Sequence, residues 1–529
     1  MIILLLLEAK EQNLIYNMLI KIIAVKITLI IVFALYSLAL LFIFLYSITQ
    51  AHLVIRYLKT QKKIQPDQLP LNEKFLPIVT VQLPVYNEMY VVERLIDAVC
   101  AFDYPLDKLE VQVLDDSTDA STEIIANRVQ LWKEKGVDIV QVRRTDRKGY
   151  KAGALEAGLA SAKGEFIAIF DADFIPLKDF LHKTIPHFFQ KNIGMVQTRW
   201  GHINKHYSLL TRLQAFGLDA HFSVEQVGRN SGNCFINFNG TAGVWRKSCI
   251  IDAGNWQPDT LTEDLDLSYR AQLKDWKFVY LEDVESPAEL PPVMSALKTQ
   301  QYRWTKGGAE VARKHLGNVL RSNKPFNIKW HGVFHLLNSG VFVSVIACAI
   351  LSVPLLFIKH YFPEFKQLFF LASFFLLSFF ILAILYWVST NQKSENKLKS
   401  ALYFIRTFPL FLSVMMGLSL HNAIAVLEGY FGKKTPFVRT PKFNIINNKD
   451  VWESNQYITS QINALTVTEG ILSLYFLFAV TAAFQIGDYA LLPFHLMLTF
   501  GFATVCYYSV FQSKLIKKLQ IINLKNTNQ

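Results

Sequence analysis

Paired cysteines are missing from this chain. Its five cysteines, Cys100, Cys234, Cys249, Cys348 and Cys506, are odd in number, and no two stand in a C-x-x-C pattern. That argues against a disulfide framework and against a zinc site, and it fits a reducing, cytoplasmic setting for the middle of the chain. Charge is missing from long stretches. Residues 27–55, 330–358, 367–392, 407–427 and 489–513 contain no Asp, Glu, Lys or Arg, and a shorter run, 470–487, has none either. Roughly 20 apolar residues cross the hydrocarbon core of a bilayer, so these runs predict an integral membrane protein. A cleaved signal peptide is not expected: the opening run MIILLLL is short, and no small-residue cleavage site follows residues 27–48. Internal repeats of 20–50 residues and low-complexity tracts are absent too.

What is present is unevenly placed. The formal charge is +12 across 529 residues. In a soluble protein such a balance points to nucleic acid; here it reads as basic loops on the cytoplasmic side of a membrane, with no nucleic-acid partner. Arg56, Lys59, Lys62, Lys63 and Lys74 follow the first run, Lys393, Lys397 and Lys399 the third, and Lys514, Lys517 and Lys518 the last. Lys433, Lys434, Arg439, Lys442 and Lys449 would fall outside if 407–427 crossed fully. Residues 401–427, which hold Arg406, Pro409, His421 and Asn422, are therefore expected at the interface or partly inserted. Five full spans remain, one before residue 75 and four after 325.

The expected organisation is an N-terminal membrane segment (1–74, span about 27–48), a polar domain (75–325), membrane and interfacial helices (326–513) and a basic cytoplasmic tail (514–529). The polar domain reads as alternating strands (78–83, 109–116, 137–142, 165–173) and helices (91–102, about 118–135, 149–163). Such alternation predicts a mainly parallel α/β sheet covered by helices, with ligands beyond the carboxyl ends of strands. Three strands end in candidate ligand groups: Tyr86-Asn87-Glu88, Asp115-Asp116 and Asp171-Ala172-Asp173.

The D-x-D of "EFIAIFDADF" places two carboxylates where neither Arg nor Lys stands beside them before Lys178. Hard oxygen ligands of this kind suit Mg²⁺ or Mn²⁺ completed by substrate phosphates. "LTEDLDLSYR" adds Glu263, Asp264 and Asp266 at a loop-to-helix junction, placed for helix capping or for a general base. "QQYRWTKGG" sets Arg303, able to hold a diphosphate in two-pronged fashion, beside Trp304, whose indole suits a sugar ring.

Together "VQLPVYNE", "VQVLDDSTD", "RRTDRKGYKAGAL", "IFDADF", "FNGTAGVWR", "TEDLDLSYRA" and "QQYRW" resemble, in order, the processive membrane-embedded glycosyltransferases of family 2, the cellulose-synthase-like group. The likeness is greatest to plant-type synthases of mannan, glucomannan or xyloglucan backbones. The resemblance implies a GT-A fold (Rossmann-like, mainly parallel) joined to a helical transmembrane bundle, and inverting hexosyl transfer from a nucleotide-sugar. Carried over, Tyr86, Glu88, Asp115 and Asp116 would hold the nucleotide, with Lys151 near it. Asp173 and Asp171 would meet the metal and diphosphate, and Asp264, beside Glu263, would be the base. Gln300 and Arg303 would contact the diphosphate. Trp304 would contact the acceptor, bordered by Asn239, Gly240 and Thr241. "TPFVRTPKF" resembles the group's gating segment F-x-V-T-x-K, with Phe437, Thr440 and Lys442 in place and Arg439 where valine is usual.

The expected function is synthesis of a β-linked polysaccharide from UDP-glucose or GDP-mannose at an inner or plasma membrane, with Mg²⁺ or Mn²⁺, the product passing through the enzyme's own helices. A single-transfer enzyme acting on a membrane lipid would use the same site. An inactive sugar-nucleotide-binding scaffold or transporter would not need the intact D-x-D, TED and QxxRW motifs.

Overall fold

The structure, a computed structural model, describes residues 2–61, 76–392, 396–447, 449–453, 455–458 and 462–527. Lys62, Lys63, Lys74 and Lys393, read above as flanking spans, lie outside the described residues.

Seven strands form one sheet in the order β3-β2-β1-β4-β6-β5-β7. They are β1 Val79–Val85, β2 Leu109–Asp115, β3 Asp138–Arg143, β4 Phe166–Ile169, β5 Ile193–His202, β6 Gly243–Arg246 and β7 Lys277–Ala288. Strands β1 to β4 pair in parallel. Among the described strands β6 alone runs the other way, pairing antiparallel with both β4 and β5. Two reversals restore the direction, so β5 and β7, parallel to each other, point with β4. The carboxyl ends of six strands therefore share one edge. The four strands read from the sequence are present within a few residues. The D-x-D lies just past β4 rather than inside it, which frees Asp171 and Asp173 from the ladder.

Both faces of the sheet are covered. Val81, Leu83, Val111 and Val113 alternate onto one face and meet Leu95, Ile96 and Val99 of helix Val92–Cys100 and Ile125 and Val129 of helix Ser121–Glu134. The intervening residues are polar yet buried. Thr80 bonds Glu110 at 2.5 Å and Gln82 donates to Gln112 at 3.1 Å, pairing donors that would otherwise be costly to bury. Helix Tyr150–Ser161 packs over them at Gly158, where a Cβ would stand 2.7 Å from the Gln82 amide and from a Leu114 methyl. Only glycine permits that approach.

Among the described residues six helices are long and apolar enough to cross a membrane: within Tyr16–Thr60, Gly340–Tyr361, within Pro363–Asn391, Lys397–Gly417, Ala464–Ile486 and within Leu492–Lys518. The sequence reading expected five. The extra one arises because the stretch expected at the interface is two helices, Lys397–Gly417 and Ser419–Tyr430, the first of which begins earlier, at Lys397. The helices pack through small residues, as close membrane-type crossings require. A Cβ on Gly501 would collide with the Ser413 carbonyl, and one on Gly417 with the Gly501 backbone.

The 28-residue helix Met294–Arg321 joins the two parts. Gly307 lies against Thr262, just ahead of helix Glu263–Leu273, and Gly429 of helix Ser419–Tyr430 lies against Lys306 and Ala309.

Candidate active site

One cleft opens at the shared strand edge. Its walls include Tyr86 and Glu88 after β1, Asp116 after β2, Asp171 and Asp173 after β4, Asn239 and Gly240 before β6, Glu263 and Asp264, and Gln300, Arg303 and Trp304. Phe437, Arg439, Thr440 and Lys442 close it from above. Of the residues singled out from the sequence, Asn87, Asp266, Asp115 and Thr241 do not line it. Asp115 is buried beneath, accepting from the Ser117 amide and from Gln141, each at 2.8 Å. Thr241 accepts the Asp171 amide at 2.9 Å. Both shape the loops that carry their neighbours.

The D-x-D is not left uncompensated by the polypeptide. Lys151 donates to Asp171 at 2.6 Å and Lys442 to Asp173 at 2.8 Å. The absence of a neighbouring cation in the sequence is made good by tertiary structure. Among the described residues no cluster of three or more His, Cys, Asp or Glu could hold a metal by itself. Two carboxylates nonetheless suit a divalent ion whose remaining ligands come from phosphate and water. One Asp173 oxygen is buried with no partner, an acceptor free for such a ligand.

Asp264 stands at the start of helix Glu263–Leu273, whose N-terminal dipole favours anions. Burial outweighs that help. With the neighbouring Glu263 carboxylate opposing a second charge, Asp264 is pushed up to about 7, and Glu263 is raised as well. A base titrating near neutrality is well matched to proton abstraction. Lys151 bridges this pair to the D-x-D: its ammonium is 4.0 Å from Glu263 and donates to the Gly240 carbonyl at 2.8 Å. Gly240 has φ +79, and a Cβ there would sit 3.1 Å from an Asp264 oxygen. The glycine leaves Asp264 open to the cleft.

Arg303 donates to Thr440 at 3.0 Å and lies 4.8 Å from the Phe437 ring, while its Nε is buried without a partner. Trp304 meets Trp200 at 6.3 Å, and Trp200 meets Phe222 at 4.8 Å and Phe174 at 5.3 Å. An aromatic wall therefore continues from the indole into the domain.

Sequence reasoning missed several contributors. Arg147 lies 3.2 Å over the Tyr86 ring, and Arg144 grips Asp116 through its Nε at 2.9 Å. Both arginines belong to the quoted R-R-T-D-R run, whose density of charge was the available signal. Trp200, His202 and Glu289 also line the cleft, and nothing local in the sequence marks them. His221, His335 and His421 have protein partners: Glu225, Tyr269 and the Lys298 carbonyl.

With the 437–442 segment seated, about 170 Å³ of the cleft stays open. Pockets for drug-sized ligands run to ~300–1,000 Å³. The space left beneath the seated segment is smaller than such a pocket.

A mixed, mostly parallel sheet with acids, arginine and tryptophan at its carboxyl edge is a GT-A-like arrangement. Residues 77–307 match the sequence profile of the family described as Glycosyltransferase like family 2, and the chain carries a glycosyltransferase domain of that family. It is similar to "Glucomannan 4-beta-mannosyltransferase 1" of Oryza sativa subsp. japonica, 45% identical over 288 residues, covering 53% of this chain and 55% of that protein. It is 41% identical over 320 residues to "Probable glucomannan 4-beta-mannosyltransferase 3" of Arabidopsis thaliana, covering 58% of this chain and 57% of that one. The chain thus spans little more than half the length of these curated relatives. Among solved structures, a mannosyltransferase from Pyrobaculum calidifontis, in complex with GDP-Man and Mn²⁺, superposes with a TM-score of 0.50 at 18% identity, over 76% of this chain and all of that one. That likeness shows the fold.

Proposed function

We propose that this protein is an inverting membrane glycosyltransferase that moves a hexose from GDP-mannose or UDP-glucose onto a growing β-linked polysaccharide. The observation that carries the reading is the meeting of Asp171, Asp173, Asp264, Arg303 and Trp304 around one cleft. The names of the similar plant proteins favour a mannosyl donor. In this reading Asp264 takes the proton from the attacking acceptor hydroxyl. Arg303 meets the departing diphosphate, Trp304 holds the acceptor sugar, and Tyr86, Glu88 and Asp116 hold the nucleotide. Asp173 and Asp171 would hold Mg²⁺ or Mn²⁺, which when bound neutralises charge on the leaving group.

The reading keeps the catalytic domain (75–325) and the basic tail on the cytoplasmic side. Geometry supports five crossings rather than six. Gln392, at the end of one apolar helix, bonds Glu282 of β7 at 2.8 Å. The segment after Tyr430 enters the catalytic cleft. The two helices between, Lys397–Gly417 and Ser419–Tyr430, therefore leave and return on the same side.

The test is transfer itself. Membranes carrying the protein are given labelled GDP-mannose and UDP-glucose in turn, with Mg²⁺ or Mn²⁺. The expected outcome is a labelled polymer cut by a β-mannanase or β-glucanase and lost on chelation. Label confined to a lipid-soluble product would replace the polymer by a glycolipid. Label no greater than with Asp264→Asn, for every donor, would end the proposal.

A further inference from the structure

Glu289 follows β7 and ends the domain's last strand before Pro291. Its side chain is 2% exposed. The segment that reaches it comes from the other end of the molecule. Phe443 and Asn444 donate their backbone N–H groups to its two oxygens at 3.0 Å each, and Ile445 donates at 3.3 Å. Asn444 has φ +60, the left-handed conformation that turns successive N–H groups toward one point and makes a backbone nest for an anion. A protein carboxylate fills this one. Arg94 completes it: one guanidinium nitrogen meets Glu289 at 3.3 Å and the Asp173 carbonyl at 3.5 Å, and another donates to the Asn444 side chain at 2.6 Å. Asn455 holds the Lys442 carbonyl at 2.7 Å.

The nest begins one residue after Lys442, whose ammonium lies on Asp173. Carboxylate, nest and Arg94 therefore form a clamp that ties the root of the 437–442 segment to the strand end carrying the D-x-D. We propose that Glu289 is a positioning residue for the donor site: it acts through Lys442 and Thr440, fixing the pivot about which the segment swings when donor enters. This rests on the function proposed above. Glu289 touches none of the reacting groups assigned there; its effect is on where Lys442 and Thr440 stand. The segment's other root is held separately by Lys306, which donates to Thr435 at 2.7 Å. Losing the Glu289 clamp frees one end only.

Two readouts separate the inference from the function it rests on. A spin label attached through Val438→Cys, an exposed position, reports segment mobility without turnover. Glu289→Gln keeps volume and one acceptor and should raise that mobility, while a control at the exposed Asp138, Asp138→Asn, leaves it unchanged. In turnover assays Glu289→Gln and Glu289→Ala should raise donor KM by about tenfold or more, the loss expected for charge-assisted bonds to a buried carboxylate, with kcat changed far less. Adding Glu289→Ala to Lys442→Ala should cost less than the product of the two single losses, because part of the Glu289 effect runs through Lys442. Label mobility unchanged in Glu289→Gln would overturn the clamp. Fully multiplicative losses in the double variant would overturn its action through Lys442. If no donor is turned over by the wild type, the proposed function fails while the label still decides the clamp.

Discussion

At the scale of single residues, the site works by opposing burial to charge. Asp264 is held near 7 because water is excluded and Glu263 stands beside it. The basic form of Asp264 is therefore lost as pH falls through about 7, and the proposed transfer should decline over that interval. Stability should move the opposite way. The folded chain holds a proton on Asp264 that the unfolded chain, titrating near the usual ~4, has already released. This group's contribution is thus full at low pH and lost as pH rises through about 7. A kcat–pH profile beside a denaturation–pH series checks both signs. Asp264→Asn should cut turnover by ~10²–10⁴-fold while leaving nucleotide binding, measured by calorimetry, close to the wild type. Binding lost with turnover would assign Asp264 to the donor instead. The carboxylates and the Arg303-Trp304 pair were legible in the sequence because their spacing is local. Their counter-charges were not. Lys151 and Lys442 reach Asp171 and Asp173 from a separate helix and a separate loop, and no window of sequence contains both partners.

At the scale of elements, strands β1 to β4 and their helices were legible from alternation and turn residues. Strands β5 to β7 were not read: β6 is only four residues and antiparallel, and β7 carries an irregular register against β5. The 435–443 segment was legible as a gate by resemblance, yet its seating was not. Arg439, where valine is usual in that pattern, pairs with Glu88 at 2.7 Å and lies 4.3 Å from the Tyr457 ring. Burial pushes Glu88 up to about 7, against the pull of Arg439 and Lys442. The ion pair is therefore complete above that pH and lost as pH falls through it. A charge-assisted bond of this kind contributes about 1.5–3 kcal/mol, enough to change segment opening by about tenfold or more. Arg439→Val should accelerate tryptic cleavage after Lys434 and Lys442 in the nucleotide-free protein by that order. The ratio of variant to wild-type rates should shrink toward one as pH drops below about 7. A ratio that is flat with pH would leave Glu88 out of the latch.

At the scale of the whole molecule, the catalytic sheet and the membrane helices are joined by helix Met294–Arg321, and its polar face shows how. Lys298, two residues before Gln300, donates to both Glu469 oxygens at 2.9 and 2.7 Å and to Ser509 at 3.0 Å. Four residues on, Tyr302 bonds Glu428, and four further Lys306 stands 3.7 Å from the same carboxylate. Helices carrying Glu469, Ser509 and Glu428 are thereby fixed to the helix that carries Arg303 and Trp304. The apolar spans were legible as charge-free runs; this seam was not, because a lone Glu469 ahead of an apolar run reads as a flanking charge. Its side chain is fully buried, so its energetics are those of a buried pair. Removing one partner strands the other and costs ~3–5 kcal/mol, whereas removing both in favour of apolar groups is often nearly neutral. Glu469→Gln should therefore lower the temperature at which detergent-solubilised protein loses its monomer peak, and Lys298→Met combined with Glu469→Leu should recover most of the loss. The double variant should still fall short in transfer, because a seam of apolar contacts no longer fixes the register that sets Arg303 and Trp304 against the cleft. Recovery of both stability and transfer would reduce the pair to packing. Failure to recover stability would show that Ser509 and the His421 contact to the Lys298 carbonyl depend on the charge as well.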